Sequence, residues 1–303
     1  MLTFVKRLLG IGAAAMLVVA TTGCSDSTTE PKETPPYPNA DILVSGETLQ
    51  ANLDVANQVI VDTRKIEDYD AGHIPNAISL PITAGGGLFD IGGTDPLTKT
   101  DLKPAADIAL VLGNAGLTEV TRVVVYANEI DTAAGRMFWM LEYLGATEVV
   151  MLNGGFAKWT ADGRPTSTTP NALAATIFTP SVVASALVTK ADVLAHYDDT
   201  AHYVIVDSRS FADWQASHIP HSVNILTTDV VNADFTMKTQ IELEALFTSR
   251  SISPDKKIYT HCYIGYRSSQ GYFYFRLMGY DVSHYDGSWT EWNADASTPK
   301  ESA

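Results

Sequence analysis

From residue 41 onward, short apolar runs alternate with segments of helical periodicity, and they do so twice. Val59 to Val61 and Tyr203 to Val206 are unbroken runs of β-branched or aromatic residues, the pattern of strands covered on both faces. Arg122 to Tyr126 and Lys257 to Thr260 read the same way, each followed by a loop and a helix-like segment. Thr189 with Asp192 three residues on has the form of a helix start, hydroxyl and carboxylate each able to bond the other's backbone N–H. The alternation predicts an α/β architecture of mostly parallel sheets flanked by helices, with ligands beyond the carboxyl ends of strands.

The two halves are one unit written twice. VIVDTRKIEDYDAGHIPNAISLP from Val59 returns as VIVDSRSFADWQASHIPHSVNIL from Val204, with one offset relating Asp62 to Asp207 and His73 to His218. VVVYANEIDTAAGRMFWMLEYLGATEVVMLNGGFAKW from Val123 is matched by KIYTHCYIGYRSSQGYFYFRLMGYDVSHYDGSWTEW from Lys257. Copies at domain-sized spacing mean a tandem duplication, not a solenoid of short repeats. TSTTPNALAATIFTPS between them, rich in Thr, Pro and Ala, reads as a linker. The expected division is a first domain over 41–165, a linker over 166–184, a second domain over 185–296 and a tail over 297–303. His73 and His218 stand in both copies, which favours a shared structural job over catalysis. Asp62 with Arg64 and Asp207 with Arg209 follow strands in both copies and should form buried ion pairs, because buried charge is tolerated only when paired.

Charge and the N-terminus narrow the setting. Thirty-five acidic against twenty basic residues give a net charge of −15, which disfavours nucleic acid or anionic lipid as a partner. An anionic substrate would need a local positive patch. Lys6 and Arg7, the apolar run LLGIGAAAMLVVA and the small residues TTGC have the layout of a secretory signal, too short to span a bilayer comfortably. Cys24 directly after Gly23 resembles the lipobox of bacterial lipoproteins, with Thr21 where Leu is usual. That resemblance implies a signal peptide over 1–23, a lipidated Cys24, a flexible tether over 24–40, and export to the cell envelope with the folded part facing the periplasm. An ordinary signal peptide cleaved nearby and an uncleaved anchor are the alternatives.

The other cysteine, Cys262, lies directly after an expected strand, in HCYIGYRSS. A helix N-terminus behind a tight loop offers inward N–H groups and the positive end of a dipole, a setting in which thiols ionise readily. Gly265 would supply the backbone freedom, and Ser268 or Ser269 a cap for the helix. A buried structural cysteine is the bland alternative. His261 is expected on the opposite face of the strand from its neighbour. Tyr263, Ile264, Gly265 and Tyr266 separate Cys262 from Arg267. Cysteine phosphatases have five residues between Cys and Arg; the shorter ring here resembles the rhodanese superfamily, whose loop is sized for a sulfur atom on the cysteine.

The resemblance extends over nearly all of residues 41–296. YDAGHIPNAISL is similar to the first-domain rhodanese signature, with Asn76 where Gly is usual, and VSHYDGSWTEW matches the C-terminal signature. It implies a sulfurtransferase related to thiosulfate and mercaptopyruvate sulfurtransferases, with two rhodanese domains, only the second catalytic. Asn128 aligns with Cys262. The implied chemistry is a Cys262 persulfide, stabilised by the N–H groups of residues 263–267 and passed from a small sulfur-containing donor to a thiol or cyanide acceptor, with no metal or organic cofactor. AAGRMFW resembles the first-domain helix that sends an arginine, here Arg136, into the cleft to bind the donor. Tyr263 and Ile264 match neither the basic residues of thiosulfate-specific members nor the small ones of mercaptopyruvate-specific members, which implies a preference for less charged donors. A sulfur-delivery protein with little turnover of its own, or more weakly a phosphatase or arsenate reductase, are the other readings.

Overall fold

The computed structural model describes residues 36–83, 87–92 and 101–303; the signal segment, Cys24 and most of the tether lie outside the described residues. The first domain carries β1 (Leu43–Val44), β2 (Gln58–Asp62), β3 (Ala77–Ser79), β4 (Arg122–Tyr126) and β5 (Glu148–Leu152). Its helices are α1 (Gly46–Ala51), α2 (Ile66–Ala71), α3 (Ala105–Asn114), α4 (Thr132–Tyr143) and α5 (Gly155–Ala161). The second repeats them as β6 (Leu187–Val188), β7 (Tyr203–Asp207), β8 (Val223–Asn224), β9 (Lys257–His261) and β10 (Val282–Tyr285). Its helices are α6 (Lys190–His196), α7 (Phe211–Ala216), α8 (Gln240–Ser249), α9 (Tyr266–Leu277) and α10 (Ser288–Ala294). Each sheet has five strands, ordered β1-β5-β4-β2-β3 and β6-β10-β9-β7-β8, and every pairing is parallel. The run from Val123 to Tyr126 in β4 is apolar because both faces are covered: Val123 and Val125 join one core, Val124 and Tyr126 the other, as the two-residue period of a strand requires.

The domains meet along α4 and α9, whose apolar residues belong to one continuous core. Gly135 permits the close crossing, since a Cβ there would lie 2.7 Å from the Gln270 backbone. Beside it the Phe138 and Phe273 rings meet edge-on at 5.0 Å, and burying each such ring contributes about 1.5–3 kcal/mol. The Gln270 amide donates to Ile130 O at 2.8 Å, and the Trp139 indole donates to Ala186 O at 2.9 Å.

The duplicated polar residues have the structural jobs expected of them. Arg64 forks onto Asp62 and caps Gly72 O, and Arg209 does the same with Asp207 and Ser217 O. His73 bonds Tyr69 O and Thr169 O and stacks on Tyr69, while His218 bonds Trp214 O and stacks on Trp214. Each histidine also pairs its backbone with the chain leaving its domain, at Ser167 and Glu301 respectively. Asn76 has φ 67° and His221, its counterpart, φ 63°; this left-handed position suits the Gly usual in the family and tolerates Asn. Thr189 and Asp192 form the capping box.

Two connecting segments are more ordered than their composition suggests. The linker is a strap on the first domain, with Phe178 buried, Thr176 N–H on Gly113 O and Ser181 N–H on Leu144 O. Residues 37–40, within the expected tether, dock on the second domain: Asn39 bonds the Arg276 and Leu277 carbonyls, and the Tyr37 hydroxyl donates to Lys238 O.

Candidate active site

β9 delivers Cys262 to the carboxyl edge of the second sheet, where it is 1% exposed. Residues 286–290 hold the loop that follows. The Cys262 N–H donates to Ser288 Oγ at 3.2 Å, and that hydroxyl donates to Tyr285 O at 2.8 Å. Cys262 O accepts from Trp289 N–H at 3.0 Å, and Tyr263 O accepts from the N–H and hydroxyl of Thr290. Gly265 turns the chain into α9 with φ 81°, and a Cβ there would lie 2.6 Å from Asp286 O; both the left-handed backbone and the missing space call for glycine.

The helix begins earlier than the serines suggested. Gly265 is the N-cap of α9 and supplies no side-chain cap. Ser268 lies inside the first turn with its hydroxyl buried and unbonded among the described residues, and Ser269 donates to Tyr266 O at 2.5 Å. Helical geometry leaves the first N–H groups of α9 without intrahelical acceptors. Among the described residues, the N–H groups of residues 263–267 have no acceptor. The result is a run of donors beside the thiol, at the positive end of a twelve-residue helix.

The side chains divide by exposure. Tyr263 is 52% exposed and Ile264 half-buried, at the rim. Tyr266 is buried, its hydroxyl on Thr83 O of the first domain at 3.1 Å. Arg267 is exposed and makes no ion pair or hydrogen bond among the described residues. His261 is buried, its Nε2 3.6 Å from Asp207 and its Nδ1 3.2 Å from Cys262 O. Burial pushes its imidazole down despite the neighbouring Asp207 carboxylate.

Residues 45–162 and 189–295 each match the profile of a rhodanese-like domain. The chain belongs to the rhodanese family. It is 31% identical over 285 residues to the sulfur carrier protein TtuD of Thermus thermophilus, covering 87% of this chain and 97% of that one. To the thiosulfate sulfurtransferase of Azotobacter vinelandii it is 28% identical, covering 88% and 98%. The crystal structure of the 3-mercaptopyruvate sulfotransferase SseA from Escherichia coli superposes with a TM-score of 0.73 at 27% identity, covering 82% and 98%.

Superposing the two rhodanese domains by hydrogen bonds shows which first-domain residue stands in the place of Cys262. Asp62 pairs with Tyr126 where Asp207 pairs with His261, and Phe156 N–H bonds Ala127 O where Trp289 N–H bonds Cys262 O. Ala127, not Asn128, therefore occupies the place of the thiol. The first-domain loop is one residue longer before its helix, so matching the helices sets Asn128 opposite Cys262.

Arg136 sits at the interface as a buried, paired group. It is 1% exposed and its fork is taken by Asp286, at 2.5 and 3.3 Å, and by Asp90, at 3.1 Å. Burial alone would raise the Asp286 carboxyl; the Arg136 guanidinium overcomes it and holds the group at about 2. Asp90 is pushed up to about 6, because burial outweighs the same arginine. These carboxylates lie 46 and 150 residues from Arg136 in the chain, so no local motif announced them.

Proposed function

We propose that Cys262 is the sulfur-carrying nucleophile of this rhodanese-family sulfurtransferase. Its thiolate attacks the sulfane sulfur of a donor, forming an S–S bond while the remainder of the donor leaves with the electron pair of the broken bond. An acceptor nucleophile then attacks the outer sulfur of the persulfide and restores the thiolate, giving ping-pong kinetics. The observation that carries this reading is the run of N–H groups over residues 263–267 without acceptors, which favours charge on sulfur as an oxyanion hole favours charge on oxygen. The ring closed by four residues between Cys262 and Arg267 supports sulfur over phosphate. Intact mass after incubation with thiosulfate, mercaptopyruvate or glutathione persulfide tests it: one added sulfur atom on the wild type and none on Cys262→Ser is expected, and no gain with any donor would refute it.

Donor choice follows from the rim. Arg136 is spent on carboxylates, leaving Arg267 as the basic side chain of the loop in a chain of net charge −15. Less charged sulfane donors, such as organic persulfides, fit this rim better than a dianion. Delivery of sulfur to a protein partner is the second reading, favoured by the likeness to a protein named a sulfur carrier; low turnover with small acceptors despite rapid loading would distinguish it. Lys6, Arg7, the apolar run and Cys24 support export as a lipoprotein held to the membrane of the cell envelope. Membrane fractionation of Cys24→Ala tests this, since release into the soluble fraction is expected.

A further inference from the structure

We infer that Arg136 of the first domain is a positioning residue for the Cys262 loop, acting through Asp286. The inference rests on the reading of Cys262 as the working thiol. Both flanks of the loop hang from residues 286–288: Ser288 Oγ accepts the Cys262 N–H, and Asp286 fills the space beside Gly265 that a side chain would need. That supporting segment is itself strained, because Ser288 has φ 52°, a left-handed conformation that persists only where the surroundings enforce it. The ion pair from Arg136 to Asp286 supplies such enforcement from the other domain. Asp90 holds the guanidinium from the first-domain side.

The same guanidinium has a second hold on the loop. Its carbon lies 4.4 Å from the centre of the Tyr266 ring, the first residue of α9, and the Tyr266 hydroxyl is tied to Thr83 O. Arg136 thus fixes Gly265 on one side, through Asp286, and Tyr266 on the other. The turn between those two residues determines where the N–H groups of residues 263–267 point. The silent domain then contributes to catalysis by holding the geometry of the donors, and Arg136 meets no donor molecule.

The two roles leave different kinetic marks. A residue binding the donor equally in ground and transition states changes KM, whereas one that shapes the thiol's environment changes kcat and the ionisation of the thiol. The experiment uses the full chain with Arg136→Gln and Arg136→Lys, and reads three quantities: the pH profile of Cys262 alkylation by iodoacetamide, kcat and KM with thiosulfate and cyanide, and thermal unfolding. Arg136→Gln is expected to slow alkylation at neutral pH about tenfold, move its profile to higher pH and lower kcat, with KM within about twofold. Arg136→Lys, which keeps one charge towards Asp286, should recover part of the alkylation rate. A raised KM with unchanged kcat and alkylation would overturn the inference in favour of donor binding, and unchanged values throughout would overturn it outright. If Arg136→Gln does not fold, Asp90→Asn loosens the arginine from the side away from the loop; a smaller shift in the same direction is expected, and none would overturn the inference. Alkylation reads the thiol whether or not sulfur is transferred, so a wild type that never gains sulfur would refute the proposed function and leave this test standing.

Discussion

At the end of β4 the chain runs through Ala127 to Asp131, whose carboxylate accepts from the N–H groups of Ala133 and Ala134 at the start of α4. At the end of β9 it runs through Cys262 to Gly265, which has no side chain to offer, and the corresponding donors of α9 stay open. The strands, their register and the helices are alike in the two copies. The first copy has no thiol at this position, and its own carboxylate satisfies the helix-end donors that the second copy leaves open. The second copy keeps a helix end with no side-chain cap, the less stable arrangement.

Experiments that exchange these features should separate the two copies most sharply at the thiol. Cys262→Ser should reduce sulfur transfer to background, a loss of about a thousandfold or more, with near-unchanged circular dichroism; substantial residual transfer would end the distinction between the copies. Next in size, Ala127→Cys in the Cys262→Ser chain should give a thiol that iodoacetamide alkylates slowly. Adding Asp131→Gly should speed that reaction severalfold by reopening the donors, at a cost of up to about 1 kcal/mol in helix capping. Equal rates in the two variants would show that the plug is irrelevant. Gly265→Ala should destabilise the chain by about 1–3 kcal/mol, read by urea denaturation, because it forces a Cβ into Asp286 at positive φ.

The smallest effect concerns pH. Asp90 titrates near 6 in the folded chain, above its ordinary 3.8, so the folded state binds its proton more tightly than the unfolded state does. The corresponding stability is present below about 4 and is lost as pH rises through about 6. Asp101 has the same sign, pushed up to about 6 by burial, then by Asp286 and Glu291. Urea midpoints should therefore fall across this window, and Asp90→Asn should flatten part of the fall; an unchanged slope would place the titration elsewhere.

Much of this was legible in the residues themselves. Both central strands, the duplicated Asp–Arg pairs, the stacked histidines and the glycine turn after Cys262 follow from patterns that span a few positions. The failures have a common physical source. The residue pattern points to Asn128 and the structure to Ala127, because strand register is set by hydrogen bonds across the sheet, which an inserted loop residue does not disturb. The expected Ser268 or Ser269 cap is absent because Gly265, which has no side chain to signal it, occupies the cap position. Arg136 is legible as an interface residue, but its partners Asp90 and Asp286 come from two distant loops, and only packing brings them together. Residues 37–40 have the composition of a flexible tether, and their acceptors on the second domain lie 201 and 237 residues away in the chain.

The close crossing of α4 and α9 also bears on how the molecule is made. Eight consecutive residues of α4, from Ala134 to Leu141, are buried, and α9 covers much of that face although it is synthesised more than a hundred residues later. A ribosome releasing the first half alone would expose Phe138 to water, an invitation to aggregation. The shared core makes the two halves depend on each other. They should melt in one transition, and neither should survive being expressed without the other.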